Sequence, residues 1–183
     1  MAREKQYYAR FGKVTALTTF IIGTIIFGTF FYTGDLEYAF LGFFFFLFAF
    51  PINLLILIFL IWRSRKFEDP RNINHSVLLM ALNIPVGFCY FLLGIYMANI
   101  MRITFENNTG EDIRNIKITG CEQMYINRLN NSNAETVWID IPKDCAINIS
   151  YLDEDGVKHV EIVIGYVTTS MGQKYTYQIG QEE

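Results

Sequence analysis

Charge is scarce in the front half of this 183-residue chain, and the scarcity is local. From position 14 to 62 only Asp35 and Glu37 are charged, and from 77 to 101 no residue is. Charged residues make up 18% of the whole, against about 25% in ordinary soluble domains. Such a distribution excludes a plain soluble globular protein. Histidine is nearly absent as well, with only His75 and His159, and there are three cysteines. Aromatic residues are abundant, with 17 Phe and 11 Tyr, which excludes a disordered chain of low hydrophobicity.

Three uncharged stretches stand out: 14–34, 38–62 and 77–101. A bilayer core of about 30 Å takes about 20 apolar residues of helix at 1.5 Å each. All three are therefore expected to be transmembrane helices rather than buried helices of a soluble core. Tyr32, Tyr38, Trp62 and Tyr96 fall near their ends, where amphipathic rings prefer the membrane interface. The first stretch follows a basic segment but exceeds the 7–15 apolar residues of a signal peptide. No small-x-small cleavage site follows it, so it reads as an uncleaved anchor.

Lysine and arginine in short flanks set orientation. The 1–13 tail carries four (Arg3, Lys5, Arg10, Lys13), and the Asp35-Leu36-Glu37 hairpin carries none. The loop after the second stretch carries four again: Arg63, Arg65, Lys66 and Arg71. The tail and that loop are expected in the cytoplasm, which places everything after Met101 on the far side. The low-cysteine, Asn- and Ile-rich composition points to a bacterial inner membrane with the C-terminal part in the periplasm.

From Arg102 onward the character changes. Residues 102–183 hold seven basic and thirteen acidic residues, a net charge of −6, while the first 101 residues sum to +3. An acidic segment is a poor partner for phosphate backbones, so no nucleic-acid function is expected. Apolar residues now alternate with period two, as in Val137-Trp138-Ile139-Asp140-Ile141 and Ile147-Asn148-Ile149-Ser150-Tyr151. The longest run puts Val160, Ile162, Ile164 and Tyr166 on one face, which is expected to be the buried one. Tyr175-Thr176-Tyr177-Gln178-Ile179 alternates too. Clusters of Asn, Asp and Gly punctuate the runs as turns. The expectation is an α+β membrane protein: three helices, then an all-β sandwich of about seven short strands, immunoglobulin-like, over 102–183. A five- to six-stranded barrel is the alternative.

Cys89 lies inside the third apolar stretch as a small filler. Cys121 and Cys145 lie in the β segment, 24 apart. In an exported domain they are candidates for a disulfide worth about 3 kcal/mol; the alternative is two unpaired buried thiols. The only histidine nearby is His159, and no zinc spacing is present, so no metal is expected.

Two mirror-image motifs sit in consecutive apolar stretches: Pro51-Ile52-Asn53 and Asn83-Ile84-Pro85. Antiparallel helices would bring Asn53 and Asn83 to similar depth, where their amides are expected to bond across helices. They are also candidates to donate to the carbonyls freed by the prolines, near Leu47 and Ala81. Such pairs act as helix glue or line a solute path. Small residues recur four apart at Thr15, Thr19 and Gly23, and at Thr24 and Gly28, a spacing that lets helices approach. Phe43-Phe44-Phe45-Phe46 reads as bulk apolar surface.

Chemistry is harder to find. The two histidines fall on opposite sides of the expected membrane, and no nucleophile elbow, phosphate loop or dinucleotide fingerprint is present. Asp153-Glu154-Asp155-Gly156 lacks the ligand spacing of a calcium loop and reads as a hairpin turn. Asn107, Asn130 and Asn148 begin Asn-x-Ser/Thr sequons, relevant only in a glycosylating pathway. No Gly/Ser- or Pro-rich linker separates Met101 from Arg102-Ile103-Thr104-Phe105, so the β domain is expected to be clamped to the bilayer. The expected function is a non-catalytic accessory or scaffold subunit of a larger membrane complex, needing no cofactor, with the lipid bilayer and other membrane subunits as partners and a homo-oligomer as one possible assembly. Two alternatives are an extracytoplasmic ligand- or peptide-binding module and a small oligomeric channel or carrier.

Overall fold

The structure is a computed structural model that describes residues 2–181. Three helices come first: α1 (Ala2–Thr33), α2 (Leu36–Ser64) and α3 (Arg71–Ala98). Each is long and apolar enough to cross a membrane. Seven strands follow: β1 (Ile100–Asn107), β2 (Ile113–Thr119), β3 (Met124–Leu129), β4 (Ala134–Asp140), β5 (Cys145–Leu152), β6 (Lys158–Val167) and β7 (Lys174–Ile179). The chain clusters into two compact units, one of Met1–Tyr32 and Glu37–Gly94, the other of Thr33–Leu36 and Ile95–Glu183.

In the helical unit the basic tail continues α1 rather than preceding it. Lys5 pairs with Asp69 at 2.8 Å, and Arg63 pairs with Glu4 while lying 4.9 Å above the Tyr8 ring. These contacts tie the start of α1 to the α2–α3 connection. Close by, Ala9, Ala16, Leu57, Leu60, Ile73 and Met80 form the buried core of the bundle. The tightest approach is at Gly12, where a Cβ would lie 2.6 Å from Leu60 Cδ1 and 2.9 Å from Ser76 Cβ. Helix packing without a large hydrophobic driving force depends on such small residues. Ala9, Gly12, Ala16 and Thr19 thus form the stripe that packs at this end. Of the stripe expected from the sequence, Gly23 is 3.4 Å (as a Cβ) from Phe45, whereas Gly28 faces open space.

The β unit holds two sheets, ordered β4-β1-β7 and β3-β2-β5-β6. β1 pairs antiparallel with β4 and parallel with β7. Both sheets contribute to one core: Ile103, Phe105, Ile139 and Ile179 from the first, Ile116, Ile118, Ile147 and Ile149 from the second. The layout is therefore α+β, with two sheets packed face to face. Its strand order differs from constant immunoglobulin domains, whose sheets hold strands 1-2-5-4 and 3-6-7 in chain order. Alternation fixes which side of a strand is apolar but not which strands pair, so the order was out of reach of the sequence pattern.

The third apolar stretch does not end where hydropathy places it. α3 stops at Ala98, and Ile100 and Met101 are strand residues, 2% and 1% exposed. Asn99 makes the break. Its side-chain amide donates to Ile95 O at 2.8 Å, its Oδ1 accepts from Ser170 N at 3.0 Å, and its main-chain oxygen accepts from Ile141 N at 2.9 Å. A single residue thus closes the helix and opens the sheet, because its bonds satisfy helix-end and strand groups together.

Candidate functional site

The expected intramembrane polar residues converge, but not as a direct pair. Thr19 of α1 stands between Asn53 of α2 and Asn83 of α3. Its Oγ1 lies 3.3 Å from Asn53 Oδ1 and 3.3 Å from Asn83 Nδ2. Asn83 also donates to the main-chain oxygen of Ala16 at 2.7 Å, and Asn53 donates to Ala49 O on its own helix at 2.7 Å. Neither amide donates to the carbonyls near Leu47 or Ala81. Asn83 turns instead to a hydroxyl and a carbonyl of α1, and Asn53 to the carbonyl one turn back on its own helix. Pro51 and Pro85 lie inside α2 and α3. Thr19 also bonds back to Thr15 O at 2.9 Å. Further along, Thr24 meets Tyr90 at 3.1 Å, and Ser76 donates to Ala9 O at 2.7 Å. The Thr19–Asn53, Asn83–Thr19, Asn83–Ala16, Thr24–Tyr90 and Ser76–Ala9 links join different helices by polar groups that apolar surroundings strengthen.

In the β unit Cys121 and Cys145 are joined as a disulfide, their Cα atoms 5.2 Å apart. The bridge staples the β2–β3 turn to the start of β5. Gly120 makes the approach possible: its φ is +121°, and a Cβ there would fall 1.6 Å from Ala146 O. Cys89 is the free thiol, in α3.

The longest strand is turned over relative to the sequence expectation. Val160, Ile162 and Tyr166 are 66%, 69% and 62% exposed, while Val163 and Val167 are buried. Ile162 lies opposite Asn148 and Ile164 opposite Ile147, and the register shifts between them. This bulge places Val163 and Ile164 together against the core. Before it, Glu161 faces inward opposite Ile149, and His159 opposite Tyr151. β6 is also a sheet edge, paired only with β5.

The inward Glu161 is held by both sheets. It accepts from the Tyr151 hydroxyl of β5 at 2.7 Å and from the Tyr177 hydroxyl of β7 at 2.8 Å. Burial first, and then the bond to the Glu161 carboxylate, push the Tyr151 phenol well above its ordinary value. His159 stacks on Tyr151 with ring centroids 5.1 Å apart, and its Nε2 lies 2.8 Å from Asp153 Oδ2. That bond, with the Val157 N–H donating to Asp153 Oδ1 at 2.7 Å, holds the Asp153 carboxyl below the usual carboxylate range. The Asp153–Gly156 segment is thus a hairpin turn whose leading acid is engaged by protein groups. Sequence reasoning missed this cluster. The available signal was Ile162-Val163-Ile164, three consecutive β-branched residues, where a bulge can switch faces without exposing a polar group to the core.

Among the sequons, Asn107 is fully buried. Its amide donates to Glu111 O at 2.7 Å and Leu129 O at 2.9 Å, and its Oδ1 accepts from Thr109. It is a structural hub at the end of β1, not a surface acceptor.

No protein-family model matches this chain, and no curated protein matches it. Among solved structures, the NMR structure of a protein from Eubacterium rectale is similar at 17% sequence identity and a TM-score of 0.38, over 46% of this chain and 81% of that one.

Proposed function

We propose that this chain is a non-catalytic integral membrane protein that serves as an accessory or scaffold subunit of a larger membrane complex. Its three helices lie in lipid, with the N-terminus in the cytoplasm and the sandwich exported, in a bacterial inner membrane. The four-zero-four distribution of basic residues supports that orientation. The Cys121–Cys145 disulfide supports it independently, since such bonds persist in oxidising compartments. Lipid is the natural solvent for the outward side chains of Phe40, Phe48 and Leu55, all more than 60% exposed.

One observation carries the scaffold reading. β6 is a ten-residue edge strand whose outward row is Val160, Ile162 and Tyr166. Proteins normally blunt such edges, because free N–H and C=O groups beside apolar side chains recruit another strand. A partner subunit that covers this row explains why it is apolar. The Thr19–Asn53–Asn83 cluster supports the role of helix glue rather than a solute path, since these polar groups bond to neighbouring helices and to their own.

Purification in mild detergent tests the reading. A stoichiometric membrane-protein partner is expected to co-elute, and the double variant V160K/I162K is expected to lose it while keeping the wild-type melting profile. An isolated monomer in every mild detergent overturns the proposal. A second reading, ligand binding by the exported sandwich, is favoured by a depression on the same sheet.

A further inference from the structure

The outward face of the four-stranded sheet departs in charge from the unit that carries it. Residues 102–183 are strongly acidic, yet β2, β3, β5 and β6 contain a single acid, Glu161, and it faces inward. Four of the seven basic residues of this segment lie on these strands: Arg114, Lys117, Arg128 and Lys158. Arg128 is paired with Asp112, and Arg114 donates to Glu154 O at 3.2 Å. Among the described residues no carboxylate forms an ion pair with Lys117 or Lys158.

Those two lysines border an open depression of about 360 Å³. Its rim also carries Asn115, Asn127, Ser150 and the exposed ring of Tyr125, and Leu152 lines it as well. A bulge in β2 shapes it. Pairing with β5 shifts register between Arg114 and Lys117, and Asn115 adopts a φ of +51°. Asparagine tolerates this left-handed region better than other side-chain-bearing residues, so it suits the bulge. β2 and β6 are two strand spacings apart, about 10 Å, so the two ammonium groups come from opposite flanks of the depression.

The lining selects a chemical class. Two ammonium groups call for an anion. Two amides and a hydroxyl offer both donors and acceptors, the complement of sugar hydroxyls. The Tyr125 ring is taken up by Lys117, whose Nζ lies 5.6 Å from its centroid and is so held at the rim. The volume falls within the usual range for small-ligand sites. A long polyanion would meet the −6 charge of the surrounding unit, whereas a compact anion feels chiefly the two lysines within a Debye length of about 8 Å. We propose that this depression binds a small acidic sugar, one bearing a carboxylate or a phosphate, between Lys117 and Lys158, with its hydroxyls meeting Asn115, Asn127 and Ser150. The site goes beyond the accessory-subunit reading, although Lys158 lies in the same outward row of β6 as Val160 and Ile162.

The test uses the full chain in nanodiscs of neutral lipid, titrated calorimetrically with glucuronate, glucose 6-phosphate, glucose and inorganic phosphate in turn. Glucuronate and glucose 6-phosphate are expected to bind with dissociation constants of about 1 mM, the scale for a ligand of this size in an open site. Glucose and inorganic phosphate are each expected to bind about tenfold more weakly, as befits loss of one charged contact or of the hydroxyl contacts. K117Q/K158Q is expected to lose both acidic sugars with the melting profile unchanged, and R128Q to bind them normally. Glucose binding as tightly as glucuronate, phosphate as tightly as glucose 6-phosphate, or no saturable binding of any probe overturns the proposal. Tighter retention on phosphatidylglycerol vesicles than by either sugar, lost in K117Q/K158Q, assigns the lysines to lipid headgroups and overturns it too. Partner co-elution is read separately, so the two proposals fail independently.

Discussion

Asn83 donates its side-chain amide to the main-chain oxygen of Ala16, 2.7 Å away, and so joins α3 to α1 across 67 residues of sequence. Asn53 occupies the corresponding place on α2 but spends its amide on Ala49 of its own helix. The two asparagines look equivalent in the sequence and are not equivalent in the bundle. Asn83→Leu is therefore expected to destabilise the helical unit by about 1 kcal/mol, and Asn53→Leu by less. Unfolding in mixed micelles of rising denaturing-detergent content measures both. Equal effects refute the assignment.

The Glu161 carboxylate links the sheets through Tyr151 and Tyr177. Hydrogen bonds to a charged group contribute about 1.5–3 kcal/mol each. Glu161→Ala, which removes both bonds, is expected to destabilise the sandwich by about 3 kcal/mol or more, and Tyr177→Phe, which removes one, by about 1.5–3 kcal/mol. Hydrogen exchange of β5 and β7 amides in the full chain reads this out. Tyr151 adds an alkaline signature. Its raised value means the neutral phenol is favoured by folding, so that contribution is complete below the ordinary value of 10.0 and is lost as pH rises past it.

Acid acts at the opposite end of the scale. Asp153 is held below its ordinary 3.8, first by His159 and then by backbone donors. A depressed carboxyl contributes stability above the unfolded value and loses it as pH falls through the folded one. Amide exchange at Val157, whose N–H bonds Asp153, is expected to accelerate below about pH 4. In Asp153→Asn that acid dependence disappears.

The Cys121–Cys145 bridge closes a loop of 24 in sequence separation. Its reduction is expected to cost about 3 kcal/mol in the β unit. Thiol blocking of the denatured, unreduced chain labels Cys89 alone, and all three cysteines react after reduction. Two or more reactive thiols before reduction refute the bridge.

Close packing at Gly12 gives a further handle. A Cβ would press on Leu60 and Ser76, and overpacking of this kind costs about 1–3 kcal/mol. Gly12→Val is expected to loosen the bundle, whereas Gly28→Ala, which meets open space, is expected to leave it unchanged. The same micelle titration separates them.

Much of this was legible in the sequence because it rests on local pattern. Uncharged stretches of 21 and 25 residues suffice to specify helices long enough to cross a membrane. Period-two alternation pointed to β4, β5, β6 and β7, since a strand with one buried face must alternate. The polar groups of the helices were found too, because few polar residues occur in those stretches. The boundary at Asn99 was not legible: Ile100 and Met101 are as apolar as the helix before them, and hydropathy does not distinguish lipid from a sandwich core. Nor was the small-residue stripe of Ala9, Gly12 and Ala16, since Ala9 and Gly12 lie in the basic tail.

The sequence alone determined the kinds of element and their order, since those follow from backbone period and from the solvent each side chain tolerates. Tertiary structure decided which groups meet. Thr19 stands between two asparagines because a third helix passes there, and β6 presents Val160 and Ile162 outward because one bulge shifts its register. A shift of one residue in a strand exchanges every side chain between faces. The pairing that fixes it is made with a neighbouring strand, so the exposed edge and the charged depression arise only when the sheet is assembled.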